Sequence, residues 1–351
     1  MAIKYKWLAS ILREQIHKNL KNGTAKLPTE NELARRYHVS RQTVRQALSL
    51  LQQEKLIEKK HGSGTYLTGL MRDAALNTIG ILLPNIHEHI YPGILTDLHE
   101  ILSANGFSEQ IFETQNQIAL EREILISLLG KPLRGIIVEA CQSALPNPNL
   151  DLYKQLQKKG IVILFLHNYY PGLENCLYIK GNDYAGSAML TKQLIDSGHQ
   201  SIGCIFKSDD IQGHHCYQGY IETIRDSGLP LLRAPICWYG AEELEALQTS
   251  QNTSFLRRIV KEKLSQCTAV ICFNDEIAYW LTRELLFAGY SLPEDICIAA
   301  FDYIRFNRQG TPPSLILTQK PHEIGIRTAQ MMIDKLKGLP VHSLEIPWFP
   351  A

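Results

Sequence analysis

Six short apolar runs recur along residues 78–351 with helical segments between them, and nothing else in the chain limits its fold as strongly. The runs are TIGILL (78–83), RGIIVE (134–139), IVILFL (161–166), SIGCIF (201–206), TAVICF (268–273) and ICIAAF (296–301). The segments 91–105, 118–129, 149–159, 183–197, 215–227, 276–288 and 322–337 between or after them read as helices. Strands that alternate with helices imply parallel sheets covered on both faces, an α/β fold. Roughly 270 residues fit two such lobes better than one. Ligands in such folds sit at the carboxyl ends of strands, here in the cleft between lobes.

The first seventy residues have a different character. The whole chain carries a formal charge of only +1. Residues 1–70 contain 13 Lys and Arg against 5 Asp and Glu, about +8, which leaves about −7 for the rest. A basic end on an acidic body suits a polyanion-binding module joined to a ligand-binding domain. No apolar run approaches the roughly 18 residues needed to span a bilayer. The opening MAIKYKWLASILREQ lacks the pattern of a signal peptide, so a cytoplasmic protein with no membrane partner is expected. The eight cysteines form no CxxC pair and mostly sit in apolar runs, as reduced, small hydrophobes do.

Leu8, Ile11, Leu12, Ile16 and Leu20 recur at helical spacing, which predicts a helix over 6–21, ended by Asn22-Gly23. Thr29 followed by Glu32 is a capping box and opens a helix over about 30–37. Ser40 caps the next helix, about 41–53, whose inner face is Val44, Ala47, Leu48 and Leu51. Its outer face presents Arg41, Gln42, Thr43 and Arg45 near the start. Arg can pair bidentately with guanine and Gln with adenine, which is what a helix lying in the major groove needs. Residues 56–60 and 65–67 then read as a hairpin around His61-Gly62-Ser63-Gly64, a wing whose Gly-rich tip lets backbone N–H groups approach phosphates.

The run LPTENELARRYHVSRQTVRQALSLLQQEKLIEKKHGSGTYL resembles the DNA-binding domain of the GntR family of bacterial regulators. The resemblance implies DNA contacts from Ser40, Arg41, Gln42, Thr43 and Arg45 on the recognition helix. It also implies contacts from His61 and Gly62 on the wing, and phosphate contacts from Glu30 and Asn31. On this reading residues 1–70 are the winged helix-turn-helix, 71–77 a linker and 78–351 the effector-binding domain.

Beyond the head there is no GxGxxG after a strand, no GxxxxGK[ST], no GxSxG and no HExxH. No catalytic constellation, cofactor site or metal site is expected; His214, His215 and Cys216 cluster without further ligands at metal spacing. The segments GNDYAGSAMLTKQLIDSGHQSIGCI, QGHHCYQGY, AVICFNDEIA and LPEDICIAAFD are similar in order and spacing to the effector domain of the LacI family, which shares the fold of periplasmic sugar-binding proteins. A GntR-type head on such a body resembles the arabinose-responsive group of bacterial repressors.

That resemblance implies an effector site for a small sugar, built from Tyr91, Glu139, His167, Tyr239, Asn274 and Asp302, with Asp275 as a cap for the helix that follows it. Carboxylates and amides would fork onto hydroxyls, and aromatic faces would cover the C–H side of a ring. In the family an Arg often stands three residues before the Gly of a GY pair; here that place is Cys216, before Gly219-Tyr220, with His215 as a candidate substitute. Tyr303 replaces a second Asp after Asp302, and the chain stops at LEIPWFPA. Those departures keep two readings open: a homodimeric repressor released from an operator by a sugar, and a DNA-binding regulator with a degenerate pocket or a different small effector.

Overall fold

The computed structural model describes residues 2–21, 26–53, 56–60, 64–67, 77–86, 90–231, 234–302 and 313–351. Asn22, Gly23, His61, Gly62, Tyr303 and the expected linker apart from Asn77 lie outside the described residues.

The head comprises α1 (Ala2–Lys21), α2 (Glu30–Arg36), α3 (Arg41–Gln53), β1 (Ile57–Lys60) and β2 (Gly64–Leu67). α1 starts a turn earlier than the apolar spacing indicated, because nothing in residues 2–5 breaks a helix and Tyr5 also packs on the core. The capping box forms at α2: Glu32 N–H donates to Thr29 Oγ1 at 3.3 Å, and Thr29 N–H donates to Glu32 Oε2 at 2.7 Å. Leu8, Leu12 and Ile16 of α1 close over Leu33, Val44, Leu48, Leu51 and Ile57, so both motif helices and the wing share one core. β1 and β2 are antiparallel, and Leu27 N–H donates to Thr65 C=O at 2.9 Å, adding a short third strand to the wing.

The first lobe begins with β3 (Thr78–Leu83), α4 (Tyr91–Ala104), β4 (Ser108–Glu113), α5 (Ile118–Leu129), β5 (Leu133–Val138), α6 (Leu150–Lys158), β6 (Val162–Leu166) and β7 (Leu177–Gly181). The second holds α7 (Asp183–Asp196), β8 (Ile202–Lys207), α8 (Ile211–Asp226), β9 (Ile236–Tyr239), α9 (Ala241–Ser250), α10 (Ser254–Glu262), β10 (Ala269–Cys272), α11 (Asp275–Phe287), β11 (Cys297–Phe301) and β12 (Leu315–Thr318). The chain then returns to the first lobe for α12 (Glu323–Leu336) and β13 (Leu344–Ile346), and ends in the second with β14 (Phe349–Pro350).

Each lobe has a six-stranded sheet, ordered β13-β7-β6-β5-β3-β4 and β14-β12-β11-β10-β8-β9. Every pairing in the two sheets is parallel except β12–β14. All six apolar runs became strands, as alternation required. Of the strands beyond those six, β4 and β7 carry mixed polar sequences, SEQIFE and LYIKG; β4 lies at a sheet edge, where one face stays wet. The final segment LEIPWFPA supplies a strand to each sheet. Among the described residues no helix is long and apolar enough to cross a membrane.

Among the described residues the first lobe carries one fully buried carboxylate, Glu121 on α5. Asn147 and Asn149 side-chain amides donate to its Oε2 at 3.0 and 2.8 Å, and the Tyr153 and Tyr170 hydroxyls donate to its Oε1 at 2.8 and 2.7 Å. This network ties α5 and α6 to the loop after β6, as a satisfied buried polar group does.

Candidate nucleic-acid interface and effector cleft

The head presents its polar side chains from the start of α3. Arg41, Gln42 and Arg45 are exposed and Thr43 is half-buried, while Val44, Ala47 and Leu48 face inward. Ser40 caps the helix: Thr43 N–H donates to its Oγ at 3.2 Å, and the two hydroxyl oxygens are 2.8 Å apart. Asn31 is exposed at the start of α2. Glu30 behaves differently from expectation. Its carboxylate accepts from Arg45 Nε at 2.8 Å and from Lys59 Nζ at 3.0 Å, and the Arg45 hydrogen bond leads the effects that hold it below the usual glutamate range. An anion committed in this way repels phosphate, so its side chain is no phosphate ligand; it ties α3 and the wing strand to α2.

Between the strand ends of the two lobes lies a cavity of about 910 Å³. Tyr91, Glu139, His167, Tyr239, Asn274 and Asp302 all line it. They converge because each sits at or just beyond the carboxyl end of a parallel strand, or starts the next helix. His167 Nδ1 is 2.8 Å from Glu139 Oε2. Burial alone would favour the neutral imidazole, but Glu139, with Asp302 and Asp183 beyond it, outweighs that and raises the His167 pKa. Burial, aided by Asp275 and opposed by His167, pushes Asp302 up to about 7. The buried Tyr239 hydroxyl has no hydrogen-bond partner among the described residues, which leaves it available to a ligand. Asn274, not Asp275, is the N-cap of α11: Ile277 N–H donates to its Oδ1 at 3.0 Å, and its side chain still reaches the cavity.

Two expected residues lie elsewhere. Cys216 is buried in the second lobe's core with Phe206, Tyr220 and Leu190, and burial raises its thiol pKa well above the usual range. His215 also lies off the cavity lining; burial and then Lys180 lower its pKa. The physical reason is that α8 begins at Ile211, capped by Asp210, four residues before the predicted start. Its first turn therefore faces the cleft through Gln212, and Cys216, one turn on along the same face, lies against the sheet. Gly219 permits that depth, since a Cβ there would meet Tyr184 C=O of α7 at 2.1 Å.

Several cavity residues were not anticipated. Lys207 ends β8, so the strand-end rule applied to SIGCIFK could have found it; its Nζ lies 3.6 Å from Asp210 and 3.9 Å from Asp209. Asn168, Gln319 and Trp348 also line the cavity. The lobes are tied beside it. Ser143 Oγ donates to Asp210 Oδ1 at 2.8 Å, Asn168 Nδ2 donates to Asp210 Oδ2 at 3.2 Å, and Ala144 N–H donates to Asp209 C=O at 3.1 Å. Seven carboxylates line the space (Asp97, Glu113, Glu139, Asp210, Glu242, Glu245 and Asp302) against two lysines, Lys207 and Lys320.

Comparison with known proteins agrees with both parts. Residues 4–67 match the family of bacterial regulatory proteins of the gntR family, and residues 191–347 match the periplasmic binding protein-like domain. The chain is 31% identical over 341 residues to an arabinose metabolism transcriptional repressor of Halalkalibacterium halodurans, covering 95% of this chain and 89% of that one. It is 33% identical over 324 residues to the protein of the same name in Geobacillus stearothermophilus, covering 91% and 87%. Among solved structures, a LacI family transcriptional regulator from Enterococcus faecium with bound ribose superposes with a TM-score of 0.64 at 21% identity, over 78% of this chain and 96% of that one. The chain belongs to the family of bacterial transcriptional repressors in which a gntR-type winged head is joined to a periplasmic-binding-protein-like effector domain, and it is a DNA-binding regulator rather than an enzyme.

Proposed function

We propose that the protein represses sugar-utilisation genes and leaves its operator when an uncharged sugar, arabinose or a related pentose, fills the cleft. The carrying observation is the cavity of about 910 Å³ with its carboxylates, amides and aromatic faces at the strand ends of both lobes. The lining disfavours a phosphorylated sugar: an anion would enter beside seven carboxylates, and Lys207, the lysine beside the strand ends, already faces Asp209 and Asp210. Hydroxyl groups suit the same residues, with Asp302, Glu139, His167 and Asn274 accepting or donating and Tyr91, Tyr239 and Trp348 covering apolar ring faces. The names of the two repressors similar over most of the chain support arabinose.

On the head, Arg41, Gln42 and Arg45 read bases, Ser40, Thr43, Asn31, His61 and Gly62 approach the backbone, and Glu30 positions Arg45 and Lys59. The operator-bound form is a homodimer, since one head offers too few contacts for specificity. The exposed end of α11 offers a surface for it: Phe287 is 82% and Leu286 50% exposed beside Arg257 and Arg283, whose guanidinium groups lie over aromatic rings.

The test is operator DNA binding by fluorescence anisotropy across arabinose, ribose, xylose and a pentose phosphate. The reading expects operator affinity to fall by about 5- to 150-fold with one neutral pentose and to stay unchanged with the phosphate. Indifference to every neutral sugar refutes it.

A further inference from the structure

The chain passes between the lobes at three places: Gly181 to Asp183, Thr318 to His322, and Ile346 to Phe349. All three meet at one point. A Cβ on Gly181 would stand 2.7 Å from Asp183 Oδ1, 2.8 Å from Trp348 Nε1 and 3.0 Å from Gln319 Nε2, one atom from each crossing. Asn182 N–H donates to Ile346 C=O at 2.8 Å, pinning the first crossing to the third.

Asp183 sits in this junction, fully buried, and does not line the cavity. One of its oxygens, Oδ1, takes two donors from opposite sides. Gln212 Nε2 reaches it at 3.2 Å from the cavity wall, and Trp348 Nε1 reaches it at 3.2 Å from the third crossing. Its other oxygen, Oδ2, is buried with no partner among the described residues. A buried carboxylate held by so few donors is sensitive to the loss of either.

We propose that Asp183 is the positioning residue that couples effector occupancy to lobe rotation, through the chain Gln212–Asp183–Trp348. The Gln212 amide carries two N–H donors, one of which Asp183 Oδ1 takes at the long distance of 3.2 Å. A ligand hydroxyl that accepts the other draws the amide toward the cavity, stretches that bond and leaves Trp348 holding the carboxylate. That change biases the third crossing relative to the first, at the pivot about which the lobes turn. Burial pushes the Asp183 carboxyl up to about 7, with Lys180 and these two donors opposing it, so loss of either donor favours the neutral acid.

The inference rests on the sugar-released repressor reading, and its test separates the two. Arabinose binding is measured by calorimetry, and operator affinity with and without saturating arabinose by anisotropy, on the full-length wild type, Asp183→Asn and Trp348→Phe. Asp183→Asn keeps shape and removes the charge; Trp348→Phe keeps a ring against Phe301 and removes the N–H. The ratio of operator affinities, about 5- to 150-fold in the wild type, is expected to fall to within about threefold of unity in Asp183→Asn while arabinose still binds. Trp348→Phe lowers it in the same direction, and stands as the test if Asp183→Asn fails to fold. A responsive wild type with an equally responsive Asp183→Asn overturns the coupling alone. A variant that only melts earlier, with its ratio intact, marks a structural carboxylate and overturns it too. If ribose or xylose rather than arabinose releases the wild type from DNA, the same variants are measured with that sugar; a wild type released by none of the three overturns both readings.

Discussion

Replacing Arg41 and Arg45 together with alanine separates base reading from charge. Both side chains are exposed, and the Arg45 side chain retains 62% of its accessible surface while paired with Glu30. An exposed pair of this kind contributes about 0.2–1 kcal/mol to stability, so the double variant is expected to fold and to melt within a few degrees of wild type. A bidentate base contact discriminates by about 1–3 kcal/mol. Two of them amount to about 2–6 kcal/mol, or roughly 30- to 20,000-fold in the ratio of operator to scrambled DNA. Phosphate contacts would act otherwise. Their loss lowers affinity for both DNAs alike and reduces the salt slope by about 0.9 for each contact. The assay is anisotropy titration at several salt concentrations, with operator DNA selected by the wild type from a random library. An unchanged operator-to-scrambled ratio refutes the assignment of α3 to base reading, whatever happens to overall affinity.

Glu121→Ala strands the donors of Tyr153, Tyr170, Asn147 and Asn149 in the first lobe and is expected to cost at least about 3 kcal/mol in urea unfolding; a loss below about 1 kcal/mol contradicts the network. For Asp302, with a folded pKa of about 7, the folded protein keeps its proton while the unfolded chain loses it above about pH 4. Unfolding therefore releases a proton in that window, and stability falls as pH rises from about 4 to 7. Asp302→Asn is expected to show a shallower fall than wild type in melting temperature against pH, and parallel curves speak against it. Cys216→Ala is expected to bind arabinose as wild type does in calorimetry, because the thiol faces the core, whereas Cys216→Arg buries a guanidinium among Phe206, Leu190 and Tyr220 and fails to accumulate as soluble protein.

What could be read from the sequence was local in origin. α3 was legible to the residue, since Ser40 caps it and Val44, Ala47, Leu48 and Leu51 repeat on one side. The six central strands were legible because burial on both faces confines polar residues such as Thr78, Arg134 and Lys207 to their ends. The cleft residues came from the resemblance to the LacI-type domain, which sets them at the ends of these strands. Gln212 and Trp348 were not legible. Gln212 depends on where α8 begins, and the polar stretch KSDDIQGHH gives no apolar period to fix it. Trp348 depends on a crossing that sets residue 348 beside residue 183, a contact with no local signature. Cys216 was named from the family's Arg position before Gly219-Tyr220, and that resemblance does not tell how deeply α8 sinks the residue into the core.

The two lobes repeat one backbone device, and it explains why His167 and Asp302 occupy the cleft. Each follows a central strand, β6 or β11, and each N–H donates to the carbonyl of the strand next door, His167 to Ile179 at 2.8 Å and Asp302 to Leu317 at 2.9 Å. Each takes a left-handed conformation, with φ of +62° and +66°. That conformation ends the strand and turns the side chain out of the sheet into the space between lobes. Among non-glycine residues, Asn, Asp and His enter it most readily, and these are also the side chains that bind hydroxyl groups. A glycine there would ease the turn and leave the wall without a polar side chain; a β-branched residue would keep a side chain and strain the turn. The same backbone demand in both lobes thus selects a polar, hydrogen-bonding residue on each wall, and the polar lining of the cleft is a consequence of how these parallel strands end.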